Sequence, residues 1–188
     1  MKRALLTLVL PALALVALAP TSTARADHSW YAGAGAGFHN DFDCCHIHGR
    51  VQGEIGWHFG GDQTGFFLEV DGIFTFGPEY WGFLGGARLG GDISVHHDAH
   101  FDVLLRPNGL VGFGARDFDR DGIGPYGMLT LQPAVDVRFV LADGFIALWL
   151  RPISFDFHFW WENIDRAHPR DWYVSAAYQL LGGIDFQF

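Results

Sequence analysis

Apolar and polar positions alternate along most of this chain, most regularly over residues 172–188. Phe188, Phe186, Ile184, Gly182, Leu180, Tyr178, Ala176, Val174 and Trp172 form one uncharged, mostly apolar set. Gln187, Asp185, Gly183, Leu181, Gln179, Ala177, Ser175 and Tyr173 form the other, mostly polar or small. A period of two is a strand with one oily and one wet face. The segment is long enough to cross a bilayer as a tilted strand. Aromatic residues stand at both ends of its oily face, where interfacial girdles lie.

The same period predicts strands over 30–38, 50–59, 64–76, 82–95, 100–116, 126–141 and 145–158, with the last at 172–188. In the first, Trp30, Ala32, Ala34, Ala36 and Phe38 oppose Tyr31 and glycines 33, 35 and 37, which leave room for bulky interior groups. In the second, Val51, Ile55, Trp57 and Phe59 oppose Arg50, Gln52, Glu54 and His58. In the third, Phe66, Leu68, Val70, Phe74 and Phe76 oppose Glu69, Asp71 and Thr75, with Phe67 and Ile73 also inward. The fourth places Arg88, Asp92 and Ser94 inward, the fifth Arg106 and Asn108, and the sixth Thr130, Gln132, Asp136 and Arg138. Longer connections at 39–48, 77–81, 117–125 and 159–171 alternate with short turns. Pro107, Pro133 and Pro152 fall inside strands, so a bulge or ladder break is expected at each. Strand seven changes parity: Ile146, Leu148 and Leu150 share one face, while Ile153, Phe155, Phe157 and Phe159 lie on the other. A bulge near Pro152 would bring both sets to the same side.

An even strand number, dyad alternation and unequal loops predict an all-β fold, an eight-stranded antiparallel up-and-down transmembrane β-barrel. A soluble eight-stranded barrel turns its oily face inward instead. That arrangement would have to hide Glu54, Glu69, Asp71, Arg88, Asp92, Arg106, Asp136, Arg138 and Asp185, which a membrane barrel gathers in its lumen as paired charges. The opening WYAGAGAGF and the terminal Phe188 resemble the small bacterial outer-membrane barrels of the OmpA transmembrane-domain and opacity-protein type. That resemblance implies a monomer in the Gram-negative outer membrane, in contact with lipid and lipopolysaccharide and with both termini in the periplasm. It also implies recognition by the barrel-assembly machinery through the strand ending in Phe188. Its members include structural anchors, adhesins, narrow porin-like channels and a few lipid A-editing enzymes.

The N-terminus adds a second sign of export. Lys2 and Arg3 precede the apolar run 4–19, and Ala24-Arg25-Ala26 is a small-x-small cleavage site. Residues 1–26 therefore read as a signal peptide and 27–188 as the barrel. The rival, a transmembrane helix, is opposed by the shortness of the run and by Pro11. Removal of 1–26 leaves nine arginines, no lysine and 21 acids, a net −12. Such a chain makes nucleic acid an unfavourable partner, and it repels anionic head groups unless divalent cations bridge them.

Candidate chemistry is sparse. The run His39, Asp41, Asp43, Cys44, Cys45, His46, His48, placed in the first outer loop, offers ligands for Zn²⁺ or copper. Adjacent cysteines in an oxidising compartment can equally form a vicinal disulfide. Asp117, Asp119 and Asp121 before Gly122 match the first half of a Ca²⁺ loop, but the twelfth position is Met128 rather than Glu. Ser154, Asp156 and His158 are candidate catalytic residues on strand seven, although Asp, not His, lies between the other two. His96, His97 and His100 cluster at a turn of the opposite end. The lumen charges themselves read either as a salt-bridged plug or as a narrow polar path. The reading favoured is a non-enzymatic envelope barrel, with a lipid A-modifying enzyme or a channel as alternatives.

Overall fold

The computed structural model describes residues 29–42, 47–59, 65–78, 80–98, 100–118, 126–141, 144–161 and 173–188. Eight strands form one closed antiparallel barrel: β1 (Trp30–Asp41), β2 (Ile47–His58), β3 (Gly65–Gly77), β4 (Tyr80–His97), β5 (Phe101–Phe118), β6 (Tyr126–Leu141), β7 (Ile146–Trp161) and β8 (Tyr173–Gln187). Each strand pairs with its sequence neighbours, and β1 closes the ring against β8. The seam runs to the last residue: Phe188 N–H donates to Trp30 C=O at 2.8 Å, and Trp30 N–H to Phe188 C=O at 3.1 Å. Closure removes every sheet edge, the condition for placing a sheet in hydrocarbon. Among the described residues no helix is long and apolar enough to cross a membrane.

Alternation sorts the side chains as the period requires. Phe113, Val174, Phe38 and Val70 point outward and are 60–65% exposed, whereas Arg88 is 0% exposed. In water this surface would be one continuous apolar band, far beyond the few hundred Å² that soluble monomers show. Aromatic pairs mark both rims. Trp30 and Trp57 stack at 6.2 Å and Phe145 meets Phe186 at 6.1 Å near the chain ends. Phe74 and Phe76 stack at 5.9 Å and Phe155 meets Tyr178 at 5.8 Å towards the opposite end. β1 and β2, at 12 residues each, span about 30 Å when tilted by about 40°, which matches a bilayer's hydrocarbon.

Proline positions coincide with faults in the ladder. No β4 partner is paired opposite Pro107, and no β7 partner opposite Pro133. Around Pro152 the register slips against both β6 and β8. The slip turns Leu148, Leu150, Ile153 and Phe155 all outward while Arg151, Ser154 and Asp156 point in. Inward glycines admit large neighbours: a Cβ on Gly35 would lie 2.4 Å from Trp149, and one on Gly56 would lie 2.1 Å from the Tyr31 ring.

Several expected boundaries are corrected. β1 and β2 stay paired out to Asn40↔Ile47, so residues 39–41 and 47–48 are wall rather than loop. His39, Asp41 and His48 continue the inward parity and are buried. β4 begins at Tyr80, so the second connection is much shorter than 77–81. Asp117 belongs to β5, paired with Trp81, so it is held in extended backbone and not in a Ca²⁺-type loop. Ser94 keeps inward parity opposite Leu104, yet it is exposed, because β4 runs past its last β3 partner at Asp92.

Candidate functional site

Among the described residues charge concentrates in the lumen, and its order follows from strand register. Nearest the chain ends, Asp92 on β4 accepts from Arg106 Nε and Nη2 at 2.7 and 2.6 Å, and lies 3.0 Å from His58 Nε2. Arg106 lies 3.9 Å above the Phe67 ring and donates to the Tyr31 hydroxyl at 3.2 Å. Tyr31 in turn donates to Glu69 at 2.9 Å. Asp185 on β8 accepts from Arg138 and, at 2.8 Å, from Trp149 Nε1.

In the middle layer Arg88 Nε is shared between Glu69 (2.9 Å) and Asp71 (2.8 Å), while its other nitrogens donate to Asn108 (2.6 Å) and Gln132 (2.8 Å). Arg151 makes a bidentate pair with Asp136 at 2.7 and 3.0 Å and donates to Gln52 Oε1 at 3.0 Å. The Gln52 amide donates to both Glu54 (2.6 Å) and Asp71 (2.9 Å), which face each other across β2 and β3. Carboxylate oxygens of Glu54, Glu69 and Asp71 lie within 4.8 Å of one another. Charged hydrogen bonds of this kind satisfy groups whose burial alone would be costly.

Towards the loop-bearing end, Asp156 accepts from Arg50 Nη1 at 2.5 Å, Gln132 at 2.7 Å and Gln179 at 3.1 Å. Arg116 pairs with Asp41 and lies 3.9 Å above the Trp160 ring. His39 links the two acids: its Nε2 is 3.2 Å from Asp41 and its Nδ1 is 3.4 Å from Asp156. Beside this layer sits an apolar patch of Ile73, Leu84, Leu110, Met128 and Trp160, so the lumen is packed with hydrocarbon as well as charge.

All nine charges expected in the lumen point inward and are buried. Arg50, Arg116, Arg151, His39, Asp41, Asp156 and His158 join them. The signal for His39 and Asp41 was their parity with Gly37; for Arg151 it was the residue just before the Pro152 slip. Of the suggested catalytic residues, Ser154 is hydrogen-bonded to Gln179 (2.5 Å), and His158 Nδ1 lies 2.8 Å from the Thr130 hydroxyl. Only Asp156 and His158 approach each other, at 3.8 Å, so a Ser–His–acid relay is not assembled. Cys44, Cys45, His46, Asp119 and Asp121 lie outside the described residues. His48, expected among the loop ligands, is instead in the wall, 3.9 Å from Asp41.

Among solved structures, a crystal structure of Neisserial surface protein A superposes on 85% of this chain and 97% of its own, with a TM-score of 0.55 and 10% identity. The likeness is one of fold. No protein-family profile matches the chain. No curated protein matches it either. An eight-stranded barrel similar to an outer-membrane surface protein, with its apolar faces outward, fits a membrane barrel.

Proposed function

We propose that this chain is a non-enzymatic integral outer-membrane barrel with a structural or surface-contact role in the envelope, its lumen closed by a salt-bridged plug. The observation that carries this reading is the inversion of polarity. Phe113 is 65% exposed on the outer wall while Arg88, Arg106, Arg138 and Arg151 are all under 2% exposed inside. Hydrocarbon is the solvent for which that distribution is favourable. On this reading residues 1–26 direct export and the strand ending in Phe188 is presented to the assembly machinery. The mature chain stands as a monomer among lipid and lipopolysaccharide, and nucleic acid is not a partner. The packed lumen favours a plug over a channel, and the separation of Ser154 from His158 favours a non-enzymatic role over lipid editing.

The test is expression of the full chain in a Gram-negative host, followed by membrane fractionation and bilayer recording. Heat-modifiable material in the outer membrane that adds no discrete conductance steps supports the proposal. Stable steps would establish the channel reading, and a soluble periplasmic monomer would overturn the membrane placement.

A further inference from the structure

At its loop-bearing end the barrel interior holds three side chains that can ligate a metal ion, one of which, His158, keeps a ring nitrogen that the plug does not use. One atom each from His39, Asp41 and His158 lies within 4.8 Å of the others, and all three side chains are buried. His158 is only 3% exposed, and its Nε2 has no hydrogen-bond partner. A buried imidazole nitrogen left without a partner is costly unless something binds it. Its other nitrogen is held by Thr130 Oγ1 at 2.8 Å, which fixes the ring. A small cavity with room for about one water or ion opens between His39 and His158, lined also by Arg50, Thr75, Leu84 and Met128.

We propose that His39, Asp41 and His158 form a binding site for a divalent transition ion of the Zn²⁺ or Cu²⁺ class. Two imidazoles and one carboxylate select such ions and disfavour Ca²⁺ and Mg²⁺, which take oxygen ligands. Each ligand already has an outer partner of the kind that orients metal ligands. Thr130 holds His158, and Arg116 holds the second oxygen of Asp41. Asp156 Oδ2, 3.4 Å from His39 Nδ1, stands where it can accept a proton on that nitrogen. Arg50 Nη1 now donates to His39 Nδ1 at 2.9 Å, so Nε2 carries the ring proton and faces Asp41 at 3.2 Å. On binding, Arg50 gives up its bond to Nδ1 and keeps its bond to Asp156 Oδ2, the proton passes from Nε2 to Nδ1 and is donated to Asp156, and Nε2 and Asp41 Oδ1 both turn their lone pairs to the ion. A tetrahedral ion with bonds of about 2.0–2.1 Å sets its ligands about 3.3 Å apart. The His39–Asp41 separation already meets that spacing. His48, 3.9 Å from Asp41, stands beside the three as a further imidazole. The guanidiniums of Arg50 and Arg116 oppose the added charge, so micromolar affinity is expected rather than the tightness of an all-thiolate site.

The test uses the purified barrel in detergent micelles, with Co²⁺ read by its visible absorption and Zn²⁺ by calorimetry. One equivalent is expected to bind. Binding should survive the combined Cys44→Ser, Cys45→Ser and His46→Ala variant, and equally the combined His96→Ala, His97→Ala and His100→Ala variant. It should weaken at least tenfold in His39→Gln and in His158→Gln. Thr130→Val, which leaves every ligand in place and removes only the support of His158, should weaken it about tenfold and alter the Co²⁺ spectrum. Heat-modifiable mobility establishes which variants fold; if neither histidine variant does, Thr130→Val decides. Absence of binding in the parent, loss of it in either combined variant, or an unaltered Co²⁺ spectrum in His158→Gln or Thr130→Val would overturn the site.

Discussion

Arg151→Met isolates the cost of breaking the plug. Arg151 and Asp136 are 1% and 5% exposed at their side chains, and they form a two-pronged pair. Met keeps most of the stem's volume but removes both charged hydrogen bonds from Asp136 and the donor to Gln52 Oε1. Leaving one member of a buried pair without its partner costs about 3–5 kcal/mol. That is a large share of the roughly 5–15 kcal/mol that typically separates folded from unfolded. The double variant Arg151→Met, Asp136→Leu removes both charges and refills the space, and such replacements are often close to neutral. The assay is urea unfolding in micelles, followed by tryptophan emission. The expected pattern is a loss of about 4 kcal/mol in Arg151→Met and recovery to within about 1 kcal/mol of the parent in the double variant. If Arg151→Met costs under about 1 kcal/mol, Asp136 is hydrated and the lumen is wet rather than packed. If the double variant is as unstable as the single ones added together, the two residues do not act as a pair.

On the outer wall, Val70→Arg places a guanidinium at a residue that is 60% exposed, and it should cost about 2–4 kcal/mol in lipid vesicles if Val70 sits near mid-membrane. Gly56→Leu would drive a side chain into Tyr31, whose ring lies 2.1 Å from the required Cβ and whose hydroxyl is held by Glu69 and Arg106; about 1–3 kcal/mol should be lost, read by the same unfolding assay. At the β4–β5 turn, Asp98 accepts from the N–H groups of His100 (2.6 Å) and Phe101 (3.0 Å), which lower its carboxyl to about 2. Because the folded value lies below the unfolded one, its contribution is complete above the ordinary carboxylate range and is lost as pH falls through about 2. An NMR titration of Asp98 with a midpoint near the unperturbed value of about 3.9 would refute that cap.

The wall was legible because a membrane barrel writes its two solvents into alternate residues. Even the fault in β7 showed, since Leu150 and Ile153 cannot share a face without a slip at Pro152. The ends of β1 and β2 were not legible. His39, Asp41 and His48 are polar and flank a cysteine pair, so they look like loop until pairing shows His39 opposite His48 and Gln179, and Asp41 opposite Ala177. Arg116 fell at the very end of the strand expected over 100–116, just before the acidic run that begins at Asp117, and its inward parity with Arg106 went unused. Composition identifies charges that must be buried, but only register says which arginine meets which acid. Glu69 and Asp71 share Arg88 because β3 and β4 align Glu69 with Arg88. The site formed by His39, Asp41 and His158 joins β1 to β7 across the lumen, a contact with no trace in local spacing.

The inside-out wall can be tested most directly with single fluorophores, attached in a Cys44→Ser, Cys45→Ser background at Phe113→Cys on the outer face and Leu110→Cys in the lumen. In vesicles, the label at position 113 should be quenched by lipid-borne nitroxide and protected from iodide, while the label at 110 should escape the nitroxide. The reverse result, with position 113 open to iodide and untouched by lipid, would contradict the placement of these strands in hydrocarbon.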